Sequence, residues 1–406
     1  MEIRFADRMQ HLKASDIREI LKLTARPEVI SFAGGLPATE SFPVEDIAAA
    51  VHACCDQDGA SVLQYSTTEG DPQLRAAIAT RMNRLRGTAV TPERILITSG
   101  AQQGLDLSAK LFLDRGSTVL CESPTYLAAL NAFKVYEPRL VAVSTDDDGM
   151  RPEALAHALR TEPDVRLVYV IPDSQNPSGR TWTLDRRRAL VELAADAGVV
   201  VLEDSPYGEI RFDGAPLPAV ASVADGRGTV VYLGTFSKVF CPGMRLGWVA
   251  GPTAVVQKYV LLKQSADLHT STLSQRIAAR YLASNDLDAN VARVIEIYRE
   301  RRDVMLDALD THFPADASWT RPQGGLFVWV ELPRGIDARK LLERALERDV
   351  AFVPGAAFFP EPGHDNTMRL NFSAMPPDRI REGVRRLAEV LDEMLAEAPA
   401  VTNASA

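Results

Sequence analysis

An α/β fold is predicted for this 406-residue chain by two features of its sequence. Short, nearly continuous apolar runs alternate with helical patterns of ten or more residues, which is how a parallel sheet covered on both faces reads. From about residue 255 that alternation gives way to helices and then to a smaller α+β unit. The central run holds about seven strands, near the mean size of a sheet.

Composition narrows the class. Hydrophobic residues make up 46% of the chain and charged ones 24%, as in ordinary globular proteins. A chain this long should form more than one domain. The expected division is an N-terminal arm over 1–43, a large domain over 44–288, a small C-terminal domain over 289–398 and a disordered tail over 399–406. A net charge of −9 argues against a nucleic-acid partner, which calls for a basic face. No apolar run approaches the length of a membrane span, and Met1-Glu2-Ile3-Arg4-Phe5 lacks the order of a signal peptide. Cys54, Cys55, Cys121 and Cys241 are too scattered for a disulfide framework, and no His/Cys cluster points to a metal. Reduced thiols and a cytoplasmic location are expected.

Taken in order, a short helix is expected over 14–23, with Ser15 or Asp16 as its N-cap and Arg18 on it. Ser31 to Pro37 reads as a loop whose Gly34 and Gly35 allow close backbone approach. A helix over 44–56 follows Pro43. Tyr65 to Gly70 is a second loop, and Pro72 opens the next helix. Ile95-Leu96-Ile97-Thr98 is a strand that runs through Ser99 and Gly100 into a helix beginning at Ala101 and Gln102. The backbone N–H groups of such a helix start favour a phosphate. The strand Thr118-Val119-Leu120-Cys121 leads to Tyr126, which can stack on a planar ring. Val141-Ala142-Val143 and Leu167-Val168-Tyr169-Val170-Ile171 are strands, the latter followed by the turn Asn176-Pro177-Ser178-Gly179.

A helix over 185–197 precedes Val199-Val200-Val201-Leu202, a strand that ends in Glu203 and Asp204. Two acids closing an apolar run need partners. Thr229-Val230-Val231-Tyr232-Leu233 is the next strand, and beyond it come Ser237, Lys238, a Pro-Gly turn, Arg245 and a second apolar run, Trp248-Val249-Ala250. Ligands of open α/β sheets bind at this carboxyl edge. A lysine there can form a Schiff base when burial and nearby cations keep its amine neutral. After a long helix over 289–310, the smaller unit comprises strands at 325–330, 351–355 and 367–372 and helices over 338–348 and 377–396.

These strand ends together supply what a phosphorylated pyridine needs. Lys238 can bond covalently, Asp204 can pair with a ring N–H⁺, and Arg245 can clamp the phosphate. Asn176 and Tyr207 can donate to a ring oxygen.

With these residues the chain resembles the class I/II aminotransferases, the pyridoxal 5′-phosphate (PLP) enzymes of fold type I. The resemblance rests on Asn176-Pro177-Ser178-Gly179, on Asp204 with Tyr207, and on the run from Ser237 through Lys238 and Arg245 to Gly247. It extends to the 2-aminoadipate/kynurenine branch through the segments Ala14–Leu21, Phe32–Pro37, Gln64–Gly70, Ala266–Thr270 and Arg321–Trp329. The resemblance implies Lys238, Asp204 and Tyr207 as catalytic residues. It implies Ser99, Gly100, Ala101, Gln102, Tyr126, Asn176, Ser237 and Arg245 as cofactor contacts. Arg369, with Asn176 and Gly35, is expected at the substrate, its guanidinium on the α-carboxylate. Tyr65 is expected to reach the cofactor phosphate of the partner subunit, making the protein a homodimer. Ser15 and Arg18 are expected on a mobile helix that covers the substrate side chain.

The implied reaction is amino transfer between an L-amino acid and a 2-oxo acid, with 2-oxoglutarate and glutamate as one pair. Another PLP reaction, a β-lyase, decarboxylase or oxidase, is the alternative on the same scaffold. A ligand-sensing regulator, which would carry a basic DNA-binding segment ahead of such a domain, is not expected here. Two departures bear on specificity: Ser174 stands where an aromatic residue is expected before Gln175-Asn176-Pro177, and Ser205 where a second acid is expected after Asp204.

Overall fold

The computed structural model describes residues 3–11 and 26–397. The expected helix over 14–23, with Ser15 and Arg18, and the tail 399–406 lie outside the described residues.

Fourteen strands form three sheets among the described residues. β1 is Ile30–Ser31. β2 (Ile95–Thr98), β3 (Thr118–Ser123), β4 (Arg139–Asp146), β5 (Gly149–Met150), β6 (Val165–Val170), β7 (Val200–Asp204), β8 (Thr229–Thr235) and β9 (Gly247–Ala250) make the large sheet, in the order β2-β9-β8-β7-β6-β3-β4-β5. β3, β4, β6, β7 and β8 run parallel, and β9 lies antiparallel between β8 and β2. Two reversals restore the direction of β2. The carboxyl ends of β2, β3, β6, β7 and β8 therefore share one edge, the edge at which such sheets bind ligands.

Seven of these strands match the sequence reading. The eighth, β5, is a two-residue antiparallel edge after a turn, too short to show a pattern. The β-branched runs of β2, β3, β6, β7 and β8 are buried almost throughout, as expected of strands covered on both faces. The helix Ala101–Phe112 packs on β8 and β9, and the helix Leu184–Asp196 lies against β7.

A second, antiparallel sheet holds β10 (Ser318–Trp319), β11 (Phe327–Glu331), β13 (Val353–Pro354) and β14 (Thr367–Asn371) in the order β10-β11-β14-β13. The helix Pro377–Glu397 packs on the helices Ala338–Glu347 and Leu287–His312. β1 pairs in parallel with β12 (Val350–Ala351), with Ile30 opposite Val350. Phe32, fully buried, lies where a Cβ on Gly383 would come within 2.6 Å of its ring. The start of the expected loop at Ser31 is thus a strand, a pairing set by contacts more than 300 residues away and invisible locally.

Two more elements differ from the reading. The helix Val44–Ala53 ends early and widens into a π turn, Cys54–Asp58, closed by Gly59 at φ 57°. The helix Leu127–Lys134 was not anticipated: five of its eight residues are buried, so it carries no polar stripe to give it away.

Candidate active site

At the shared strand edge, residues from the large sheet and from the second, antiparallel sheet line one cavity of about 440 Å³. Lys238 follows β8, and its Nζ donates to Gly35 O at 2.7 Å. The loop is held by Thr235, whose Oγ1 donates to Leu246 O (3.1 Å) and accepts from Ser237 N–H (3.1 Å). Arg245 has a left-handed backbone (φ 53°) after the turn Pro242–Met244. A Cβ on Gly100 would come within 2.6 Å of Arg245 Nη2, and one on Gly247 within 2.6 Å of Ala101 N. Both glycines are therefore needed for the guanidinium and the strand β9 to lie against the helix start. No side chain caps that helix, so its first N–H groups can receive an anion beside Arg245.

Behind this start, Asp267 accepts from Ser99 Oγ (3.2 Å), Gln103 Nε2 (2.7 Å) and Lys263 Nζ (2.7 Å).

The two acids closing β7 have separate partners. Glu203 accepts from Val220 N (2.9 Å) and Ala221 N (2.8 Å), capping a short helix away from the cavity. Asp204 lines the cavity; its Oδ2 accepts from Tyr169 Oη at 2.9 Å, while its buried Oδ1 has no partner among the described residues. Asn176 Oδ1 accepts from Arg369 Nη1 (2.8 Å), and Arg369 Nη2 donates to Ala33 O (2.6 Å). The Arg369 guanidinium lies over the rings of Phe327 (4.2 Å) and Phe358 (5.0 Å), and its buried Nε has no partner. The stem of the Asn176 turn is fixed by Asp173, which pairs with buried Arg86 and with Arg187 (2.7 Å). Burial pushes the Asp173 carboxyl up, but the two arginines outweigh it and hold it below the usual range.

Burial, with the nearby charges of Arg369 and Arg245, draws the Lys238 ammonium down to about 8. Burial raises Asp204 to about 7 against the opposing Tyr169 hydrogen bond, and Glu203 adds to the rise. Arg369 falls to about 10 through burial, with Tyr207 and Tyr126 opposing. Burial also raises the phenols of Tyr126 and Tyr207.

The cavity thus brings together Gly35, Ala101, Gln102, Tyr126, Asn176, Asp204, Tyr207, Ser237, Lys238, Arg245 and Arg369, all named as candidates from the sequence. Ser99 is turned toward Asp267, and Gly100 backs Arg245 from outside the lining. Tyr65 stands apart, 79% exposed, with its ring edge toward His269 at 5.8 Å. Ser174 (φ 44°) and Ser205 do not line the cavity: Ser174 packs under Gly324 and Gly325, and Ser205 against Gly208. Both departures alter the supporting wall. Phe327, Leu36, Asn131 and Pro206 of the lining, and Tyr169 behind Asp204, are among the residues that the sequence did not mark as candidates. For Tyr169 the signal was a hydroxyl within an otherwise apolar strand.

PLP fits these groups. A carboxylate with one orphaned oxygen lines the cavity, a lysine of lowered basicity lies within it, and an arginine flanks an uncapped helix start. Among the described residues no His/Cys/Asp/Glu group is placed to hold a metal ion, and no helix is long and apolar enough to cross a membrane.

Residues 27–387 match the family described as aminotransferase class I and II. The chain is 45% identical over 393 residues to aromatic-amino-acid aminotransferase 1 of Thermococcus litoralis, covering 96% of this chain and 94% of that one. It is 44% identical over 387 residues to a 2-aminoadipate transaminase of Thermus thermophilus, covering 95% and 96%. The crystal structure of Pyrococcus horikoshii kynurenine aminotransferase in complex with PMP superposes with a TM-score of 0.92 at 42% identity, over 96% of this chain and 97% of that one. With its lysine, carboxylate and arginine at one sheet edge, the chain belongs to the class I and II aminotransferases and is a PLP-dependent enzyme of fold type I.

Proposed function

We propose that the enzyme moves an amino group between L-amino acids and 2-oxo acids in two half-reactions, with glutamate and 2-oxoglutarate as one pair. The observation that carries this reading is the buried Arg369 guanidinium, held by Asn176 in the same cavity as Lys238 and Asp204. Its planar fork can pair bidentately with an α-carboxylate and set the amino acid's Cα toward Lys238.

When bound, PLP supplies an electron sink that acidifies the α-carbon. Lys238 would hold it covalently through Nζ. Once the incoming substrate amine displaces that nitrogen, Nζ, its basicity drawn down to about 8, would be the group that takes the Cα proton. Asp204 would keep a proton on the ring nitrogen, Tyr207 and Asn176 would donate to the ring oxygen, and Tyr126 would stack on the ring. Arg245, Ser237 and the N–H groups of Ala101 and Gln102 would hold the phosphate, whereas the Ser99 hydroxyl is given to Asp267 and the Gly100 N–H to Thr98 O (2.8 Å). Gly35 contributes backbone to the substrate side.

Leu36, Phe327 and Pro206 give the cavity apolar walls, which suit large apolar or aromatic side chains. The cations lining it among the described residues are Arg369, Arg245 and Lys238, all with other tasks. A second substrate carboxylate is therefore assigned to Arg18, which with Ser15 lies outside the described residues and is expected to cover the substrate. We assign the exposed Tyr65 to the phosphate site of a partner subunit in a homodimer, the domain division to 44–288 and 289–398, and the location to the cytoplasm.

Initial rates with a panel of amino donors against 2-oxoglutarate test this reading. Parallel double-reciprocal lines are expected. Intersecting lines, or ammonia or carbon dioxide released in step with turnover, would count against it.

A further inference from the structure

Tyr169 and Asp204 form a buried pair on neighbouring parallel strands. β6 and β7 place Tyr169 opposite Leu202. Asp204, two residues on, is on the same face of the sheet as Leu202. The Tyr169 ring is fully buried and meets Phe133 edge-on at 5.4 Å and 82°, which fixes where its hydroxyl lies. That hydroxyl donates to Asp204 Oδ2 at 2.9 Å, while the buried Oδ1 of this cavity-lining residue has no partner among the described residues. A carboxylate tied at one oxygen has a fixed plane and offers the other in a single direction. A phenylalanine would fill the same space in this apolar strand. A buried hydroxyl is costly unless it is bonded, and here its partner is Asp204.

We infer that Tyr169 is a positioning residue for Asp204: its hydroxyl fixes the carboxylate plane and stabilises the anion, so that Oδ1 is presented to the ring nitrogen of PLP. The inference rests on the reading that Asp204 pairs with that nitrogen. The other titratable groups facing the pair are Glu203 beside Asp204, Glu122 on β3, and Tyr126 and Tyr207 across the cavity. Among them Glu203 opposes the charge on Asp204, whereas the Tyr169 hydrogen bond favours it.

Removing the hydroxyl makes Asp204 a stronger base. It then takes a larger share of the proton between itself and the ring, the ring carries less positive charge, and groups attached to the ring become more basic. For the Tyr169→Phe holoenzyme, the pH midpoint of the visible absorption band should therefore move up, by about 0.5–1 unit. Single-turnover rates with an amino donor should fall about tenfold. The KM for that donor should stay unchanged, because Arg369 is untouched.

The experiment titrates the absorption band of the PLP-loaded wild type, Tyr169→Phe, Asp204→Asn and the double variant, with thermal unfolding as a control on folding. Support requires three results together: Tyr169→Phe shifts upward, Asp204→Asn shifts further the same way, and the double variant matches Asp204→Asn. A shift in Asp204→Asn with none in Tyr169→Phe overturns the inference and leaves the Asp204 reading standing. A double variant shifted beyond Asp204→Asn also overturns it, since Tyr169 would then act elsewhere. No shift in Asp204→Asn overturns the ring-nitrogen reading, and the inference with it.

Discussion

Arg369 and Asn176 lie 193 residues apart, on β14 and on the turn after β6, and meet at 2.8 Å in the floor of the cavity. The contact joins the two large sheets at the reacting centre. It also orients the guanidinium: one nitrogen goes to Asn176, another to Ala33 O, and the plane lies over Phe327.

That geometry predicts that Arg369→Lys is not a conservative change. A point charge on a flexible stem cannot reproduce a fork held at two acceptors. The variant should keep PLP and its spectrum, while kcat/KM for amino donors falls about 100-fold, or ~2.7 kcal/mol of transition-state binding. Loss confined to a single donor would mean that Arg369 binds a side chain and not the α-carboxylate.

Asp204 predicts a pH-dependent stability in the PLP-free enzyme. Its folded carboxyl is raised to about 7 from an ordinary 3.8, so between those values the folded state binds more protons than the unfolded one. The native state is therefore favoured below about pH 4 and loses that contribution as pH rises through 7. Asp204→Asn removes the charge and with it this loss. The PLP-free variant should unfold a few degrees above the wild type at pH 8, a difference on the order of 2 kcal/mol, and the gap should close toward pH 4. Glu122 is also raised to about 7 by burial, but it is common to both proteins and cancels. Thermal melts of both PLP-free proteins across pH 4–8 decide this, and a gap that does not change with pH would refute it.

Gly100→Ala should loosen PLP without unfolding the chain. The residue sits at φ 79°, and a Cβ there would come within 2.6 Å of Arg245 Nη2. The guanidinium must move off the helix start, and the left-handed backbone adds strain of about 1 kcal/mol or more. Equilibrium dialysis should give a PLP Kd at least about tenfold weaker, from loss of one charge-assisted contact. An unchanged Kd would place the phosphate elsewhere.

The sequence was informative where chemistry punctuates apolar runs. Lys238, Asp204 and Asn176 stand just past strands of β-branched residues, so their common edge followed from the parallel sheet alone. Arg369 was different: nothing in Met368-Arg369-Leu370 distinguishes it from a strand arginine, and resemblance supplied its role. The β1–β12 pairing and the packing of Phe327 under Arg369 depend on long-range contacts that no local pattern records. Tyr169 was hidden because a strand tyrosine usually packs; its hydrogen bond appears only once β6 and β7 are set side by side. Tyr65, exposed in the single chain, depends on a partner for any role at the site.

Arg369, Arg245 and Lys238, the cations lining the cavity among the described residues, are assigned to the α-carboxylate, the phosphate and the proton. Leu36, 60% exposed at the cavity, and Phe327 offer apolar contact and no second charge. A dicarboxylic substrate such as glutamate or 2-aminoadipate needs one more cation, and that cation must withdraw when an uncharged side chain binds. Arg18 lies outside the described residues, and its segment is the one expected to cover the substrate. Arg18→Ala should lower kcat/KM for glutamate about ten- to a hundredfold, the effect of removing an ion pair of ~1.5–3 kcal/mol. The value for leucine should stay nearly unchanged. Measuring both substrates with both enzymes separates the possibilities, because equal losses would mean that Arg18 only helps the arm to fold.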